Sequence, residues 1–150
     1  ESNSHGQIVK AQPHSEAITN ELLLPKGSNS TLVSESAAAT LTQKTLEDYK
    51  ETVYTSGSTT GTITPDVANG NVQAITLTGS ITFNAFANAE AGQSMTLIVK
   101  QSSSGGETLT STMKFAGGTK TLSTGANEID IISVFYDGTT YYASLSTNFS

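Results

Sequence analysis

Arginine, cysteine and tryptophan are absent from these 150 residues, and histidine occurs only at His5 and His14. Without cysteine there is no disulfide and no thiolate metal site. Without arginine the bidentate fork used on phosphate and guanine is missing. All seven basic residues are lysines against thirteen acids, a net charge of −6. That balance argues against nucleic acid and anionic membrane as partners. Charged residues are only 13% and aromatics 7%. The longest apolar runs, Leu22-Leu23-Leu24 and Met95–Val99, are far too short to span a bilayer. The chain opens on Glu1 instead of Met, and whether a segment precedes it is not legible from these residues.

Serine and threonine are abundant, roughly three residues in ten. Threonine suits the solvent face of a strand, being β-branched with a polar tip. From Glu51 to Ser150 short Thr-rich runs alternate with turn signals. Strands are expected over 51–55, 61–64, 72–78, 81–86, 94–101, 107–115, 120–123, 128–136 and 139–147. The breaks fall at Asn69-Gly70-Asn71, Gly79-Ser80, Glu90-Ala91-Gly92, Ser103–Gly106, Gly117-Gly118 and Gly125-Ala126-Asn127. Ile75 and Leu77 share one face, as do Met95, Leu97 and Val99. Asp137-Gly138, between 129–136 and 139–145, predicts a hairpin with a type I′ turn. The 129–136 run is apolar on both faces and is expected to be central and covered on both sides. The fold class is therefore all-β, an antiparallel, jelly-roll-like β-sandwich over 51–150.

Residues 1–50 differ. They hold scattered apolar bursts, such as Leu22-Leu23-Leu24-Pro25, and one candidate helix over 42–50 with Leu46 and Tyr49 three apart. Such a stretch cannot bury a core alone, so it is expected to be an extended N-terminal arm that needs a partner.

Several constellations carry chemistry on paper. The strand region has no histidine, which excludes a Ser-His-Asp arrangement there. Glu107, Glu128, Asp130 and Asp137 are candidates for a glycosidase carboxylate pair, with Glu128 and Asp130 on one strand face. Aromatics for a polysaccharide groove are few, and these acids read as solvent-facing strand carboxylates. Asp66–Asn71 resembles a calcium loop but lacks alternating ligands and a closing glutamate, so it reads as an Asx turn. Ser102–Gly106 joins two strands and lacks a following Lys-Ser/Thr, so it is a loop and not a phosphate cradle. No catalytic, metal or cofactor-binding residue emerges. Tyr136, Tyr141 and Tyr142 are the one candidate surface group, since tyrosine stacks on sugar faces while its hydroxyl hydrogen-bonds. The competing reading puts Tyr136 and Tyr141 in a core or interface beside Phe135.

The order of several segments adds a resemblance: Gly70–Gly79, Gly92–Gln101, Met113–Thr119, Ala126–Tyr142 and Asn148-Phe149. In that order they resemble the C-terminal β-domain of tailed-bacteriophage virion proteins. Leu23–Val33 and Thr40–Leu46 are similar to fibre stems of the same family. Members tend to carry Trp-Pro before the lysine of Met113-Lys114, where this chain has Ser111-Thr112. The resemblance implies a non-enzymatic virion structural protein. As a homotrimeric fibre or tail-appendage domain it would be anchored to other virion proteins through residues 1–50, with exposed loops toward a host-surface glycan. A capsid decoration protein stabilising the head is the alternative, and a polysaccharide-cleaving enzyme the third reading. Since the two histidines lie outside the strand region, the double variant His5→Ala/His14→Ala is expected to unfold at the unchanged temperature in a thermal melt.

Overall fold

The computed structural model describes residues 42–149, and Leu46–Ser150 forms one compact unit. The expected arm over 1–50 lies almost wholly outside the described residues. Its described end, residues 42–50, is exposed and non-helical, so the helix expected there is not formed. The reason is physical: among the described residues Leu46 and Tyr49 have nothing to pack on, and a short helix without a packed face cannot offset its nucleation cost.

Seven strands form one mixed sheet: β1 (Tyr54–Ile63), β2 (Val72–Phe83), β3 (Gln93–Lys100), β4 (Leu109–Thr110), β5 (Lys114–Phe115), β6 (Ile129–Tyr136) and β7 (Tyr141–Phe149). Among the described residues helix is limited to two three-residue 3-10 turns, Val67–Asn69 and Ala116–Gly118. The order is β1-β2-β3-β6-β7-β5, with β4 also on β2. The fold is all-β, but it is not the expected antiparallel sandwich. β1, β2 and β3 pair parallel in succession, and β4 is parallel to β2 as well. Each pass of the chain therefore lies on the previous one, in a solenoid-like coil. Tyr54 faces Gln73, Val72 faces Thr96, and Ile81 faces Leu109. The returns stack too: Val67 N–H donates to Ala87 O at 3.2 Å, and Ala87 N–H to Pro65 O at 2.9 Å.

The corner of the coil explains two merged strands. Gly79-Ser80 reads as a turn but is a bend inside the continuous β2. β1 is irregular opposite it, between Thr59 and Gly61, and again opposite Ala74–Ile75, between Thr55 and Gly57. A Cβ at Gly79 would collide with the Thr60 side chain, so the two strands nest there only because position 79 is bare. Conversely, the expected 107–115 strand breaks at Ser111–Met113 into β4 and β5, and no strand forms over 120–123.

Inward residues alternate as the sequence implied. Ile75, Leu77, Ile81 and Phe83 from β2, Met95, Leu97 and Val99 from β3, and Ile132 and Val134 from β6 are all buried. Phe83 and Phe86 meet edge to face at 5.1 Å. The polar groups inside are all answered. Gln73 Nε2 donates to Asp66 O at 2.6 Å and Gly70 O at 2.9 Å. Gln101 donates to Glu107 O at 3.0 Å and accepts from Glu107 N–H at 3.0 Å. Each glutamine thus closes the return loop of its own coil, replacing backbone partners that an irregular loop cannot supply.

β6 is central, between antiparallel β3 and β7, but its two faces differ. Ile132 and Val134 are buried, whereas Ile129 and Ile131 are half-buried and Phe135 is 44% exposed. The expected cover on both faces is present on one only among the described residues. Asp130, expected to face solvent, is fully buried. Its carboxylate accepts from Ser123 N–H at 2.8 Å, Ser123 Oγ at 2.6 Å and Asn148 N–H at 3.1 Å. It sits where the β6–β7 register shifts, between Ile129 and Ile131, so one side chain holds the 120–124 loop and the end of β7 together. Asp130→Ala is expected to destabilise by about 2–3 kcal/mol in chemical denaturation, because it removes the acceptor shared by three partly buried hydrogen bonds. Asp130→Asn, which keeps the shape and turns one acceptor into a donor, is expected to cost about 1–2 kcal/mol. Wild-type stability in both variants would show that the loop and β7 do not depend on this carboxylate.

Candidate functional site

The final hairpin sorts the three candidate tyrosines by strand parity. Tyr136 faces Tyr141 across β6–β7, and Phe135 faces Tyr142 one step on. Successive side chains alternate, so the first pair points to the core side and the second outward. Tyr136 and Tyr141 stack at 4.2 Å with a 16° tilt. The Tyr136 hydroxyl donates to Gly138 O at 2.9 Å and the Tyr141 hydroxyl to Phe86 O at 3.0 Å. Burial, with Tyr136 nearby, pushes the Tyr141 phenol above its ordinary pKa. These two rings are structural in their contacts. Tyr142 stands apart from them, 44% exposed on the outer face.

Two further residues join Tyr142 there. Phe135 is its cross-strand neighbour, equally exposed. Lys114 is brought alongside by the parallel β5–β7 pairing, which matches Lys114 to Tyr142, and its Nζ lies 5.8 Å from the ring centroid. Beside this pair runs an open groove of about 480 Å³, lined by Ser94, Thr96, Ser133, Phe135, Tyr142 and Ser144. The serine and threonine hydroxyls and the two rings give it a mixed character: flat apolar surface with hydroxyls around it. Phe135 and Lys114 were not singled out from the sequence. Parity counted back from the turn would have found Phe135, whereas Lys114 depends on a parallel pairing that no local pattern reveals.

The loop beside this face is longer than a type I′ turn. Tyr136 pairs with Tyr141, leaving four residues, Asp137–Thr140, between the strands. Gly138 alone takes the left-handed conformation, at φ 100°. Asp137 instead uses its side chain, with Oδ1 accepting from Thr139 N–H at 2.8 Å and Thr140 N–H at 2.7 Å. Those bonds, Thr140 first, hold its carboxyl below the usual range, and Tyr142 and the Lys114 charge add to them.

The other carboxylates are tied into loops one by one. Glu107 is lowered chiefly by its hydrogen bond with Ser102. Glu128 accepts from Gly125 N–H at 2.6 Å, and Asp130 is engaged as described. Asp66 accepts from Ala68 N–H at 2.9 Å and from Asn88 Nδ2 at 2.9 Å, which makes 66–69 the Asx turn the sequence suggested. Among the described residues no cluster of three His, Cys, Asp or Glu side chains could hold a metal ion. No helix among them is long and apolar enough to cross a membrane.

The described residues thus form a coiled β-domain that carries one exposed aromatic face. The family described as "Putative phage tail fibre C-terminal domain" matches residues 63–141, more than half of the chain. The chain belongs to that family. It is a bacteriophage virion structural protein of the tail. No curated protein and no solved structure matches it.

The loop geometry sets two expectations. At Gly138 a Cβ would come within 2.9 Å of Ala91 Cβ, in a conformation that β-branched residues avoid. Gly138→Val is therefore expected to lower stability by about 2–3 kcal/mol or to block folding. Asp66, Glu107 and Asp137 all have depressed values, so their contribution is present above the ordinary carboxylate range and is lost as pH falls through the depressed ones. A thermal melt should show a plateau at neutral pH and a decline beginning below about pH 4. A plateau that continued down to pH 2 would contradict that linkage.

Proposed function

We propose that the chain is the projecting end domain of a homotrimeric tail fibre, anchored to other virion proteins through residues 1–50, and that its outer β6–β7 face contacts a host-surface glycan. The family match supports the fibre role and weighs against capsid decoration and polysaccharide cleavage. The observation that carries the glycan contact is the exposed Phe135–Tyr142 pair beside hydroxyl-bearing strand positions. A pyranose ring presents C–H groups on its faces and hydroxyls at its rim. It fits a surface that offers flat rings with serine and threonine hydroxyls around them. Asp137 lies at the loop end of the same face, an acceptor for sugar hydroxyls. Self-association is supported by apolar positions left open: half-buried Ile129 and Ile131 on the outer face of β6, and exposed Leu46, Tyr49 and Val53 ahead of β1.

Sedimentation equilibrium of the full chain at micromolar concentration should give a trimer mass, and a monomer mass would sink that part of the reading. Binding to purified surface polysaccharide of the host should weaken at least about tenfold in Phe135→Ala and Tyr142→Ala, as expected when an aromatic anchor is truncated. Both side chains are substantially exposed, so thermal stability should change little. Equal binding by wild type and both variants would place glycan contact elsewhere.

A further inference from the structure

The start of the coil is built differently from its end. β3 is covered by the β6–β7 hairpin, but β1 terminates the sheet, and among the described residues its second edge carries no strand. Its ten residues contain no charge and no proline, the usual means by which an exposed edge is kept from pairing. The core is unfinished beneath it as well. The β1 positions opposite buried Ile75 and Ile81 are Gly57 and Gly61, and a Cβ at either would meet nothing within 4 Å. Along the same strand lies an open hollow of about 340 Å³, walled by Tyr54, Ser58, Thr62, Ile63, Asp66 and Ile75. The matched family span begins at Ile63, the last residue of β1, so almost all of this edge lies outside it.

We infer that the open edge of β1 takes residues 46–53 of a second copy of the chain as an added strand. This rests on the self-assembly reading above and names the surfaces that meet. Residues 46–53 are exposed throughout and lie in no strand, with Leu46 66%, Tyr49 71% and Val53 47% exposed. In an extended strand Glu47, Tyr49, Glu51 and Val53 fall on one side. The Tyr49 ring and Val53 match the Ile63 and Ile75 walls of the hollow, and the carboxylates can accept from its serine and threonine hydroxyls. The two bare glycine positions leave room for the Tyr49 ring, and the strand would answer the free N–H and C=O groups of β1. The chain's own segment is a poor occupant. Folding back onto β1 would need a tight turn through Glu51–Tyr54, where Thr52 and Val53 are β-branched and such turns call for φ > 0.

Because the chain has no cysteine, cross-linking reads the contact directly. Full-length Tyr49→Cys is co-expressed with a differently tagged full-length copy carrying Ser56→Cys, Ser58→Cys or Thr62→Cys, and mildly oxidised. At least one pairing should give an interchain disulfide about fivefold or more above a Tyr49→Cys/Thr124→Cys control, since the bond forms only where Cα atoms approach within about 7 Å. Assembly in sedimentation with every pairing at control level overturns this contact and leaves self-association standing. A monomer overturns both. A Tyr49→Cys/Ser58→Cys double variant that closes within a single chain overturns it in favour of fold-back.

Discussion

One strand holds the domain together. β2 is the common wall: its first half pairs with β1 and β3, and its second half, past the bend at Gly79, pairs with β1 again and with β4. The inward residues Ile75, Leu77, Ile81 and Phe83 therefore line two adjoining sides of one core. The bend is possible because position 79 has no side chain to meet Thr60, so a steric allowance at one glycine sets the course of every later pass. Large-to-small changes at fully buried residues of this kind cost about 2–5 kcal/mol.

The sequence showed which residues face inward because period-two alternation is local. Ile75 with Leu77, and Met95 with Leu97 and Val99, are buried on that pattern. Pairing direction was not legible. Short strands punctuated by glycine describe an antiparallel meander and a parallel coil equally well, since both need a change of course every eight to twelve residues. Gly79-Ser80 shows the ambiguity at its smallest: the same dipeptide serves a reversal or a bend, and only its neighbour Thr60 decides. Asp137-Gly138 marked the hairpin correctly but not its loop length, because Asp137 stabilises the loop through its carboxylate and not by adopting φ > 0. At the outer face Tyr142 was legible as an aromatic near a turn. Lys114 beside it was not, since its approach depends on the parallel pairing of β5 with β7.

The few polar groups inside the domain have a common purpose. Parallel coils joined by irregular loops leave backbone groups that no ladder satisfies, and a chain with 13% charged residues has few ions to spend on them. Gln73 and Gln101 bond backbone groups of their own loops, and Asp130 bonds the 120–124 loop and the last strand. Among the described residues no buried side-chain nitrogen or oxygen lacks a hydrogen-bond partner. Interior specificity is thus achieved with two amides, one carboxylate and the Ser111 hydroxyl, which accepts from Met113 N–H, while most serine and threonine hydroxyls are left to the surface.

The two ends of the coil accordingly suit different tasks. At the β6–β7 end the antiparallel hairpin covers β3, Tyr136 and Tyr141 satisfy their hydroxyls internally, and what is left outside is a discrete pair of rings. A few exposed rings on a rigid support can select a ligand at small entropic cost, since the rings are already placed. At the β1 end, among the described residues, the second edge of a ten-residue strand is unpaired, and the preceding segment, with exposed Leu46, Tyr49 and Val53 set between charged residues, lies in no strand. Backbone edges have little sequence discrimination but bond over their whole length, which is the property needed to join identical copies. A fibre needs both: strong repetition where subunits meet and a small variable surface where the target is met. On the reading proposed above, the aromatic face near the β7 end of this single sheet would serve the target, and the long open edge of β1 the contact between copies.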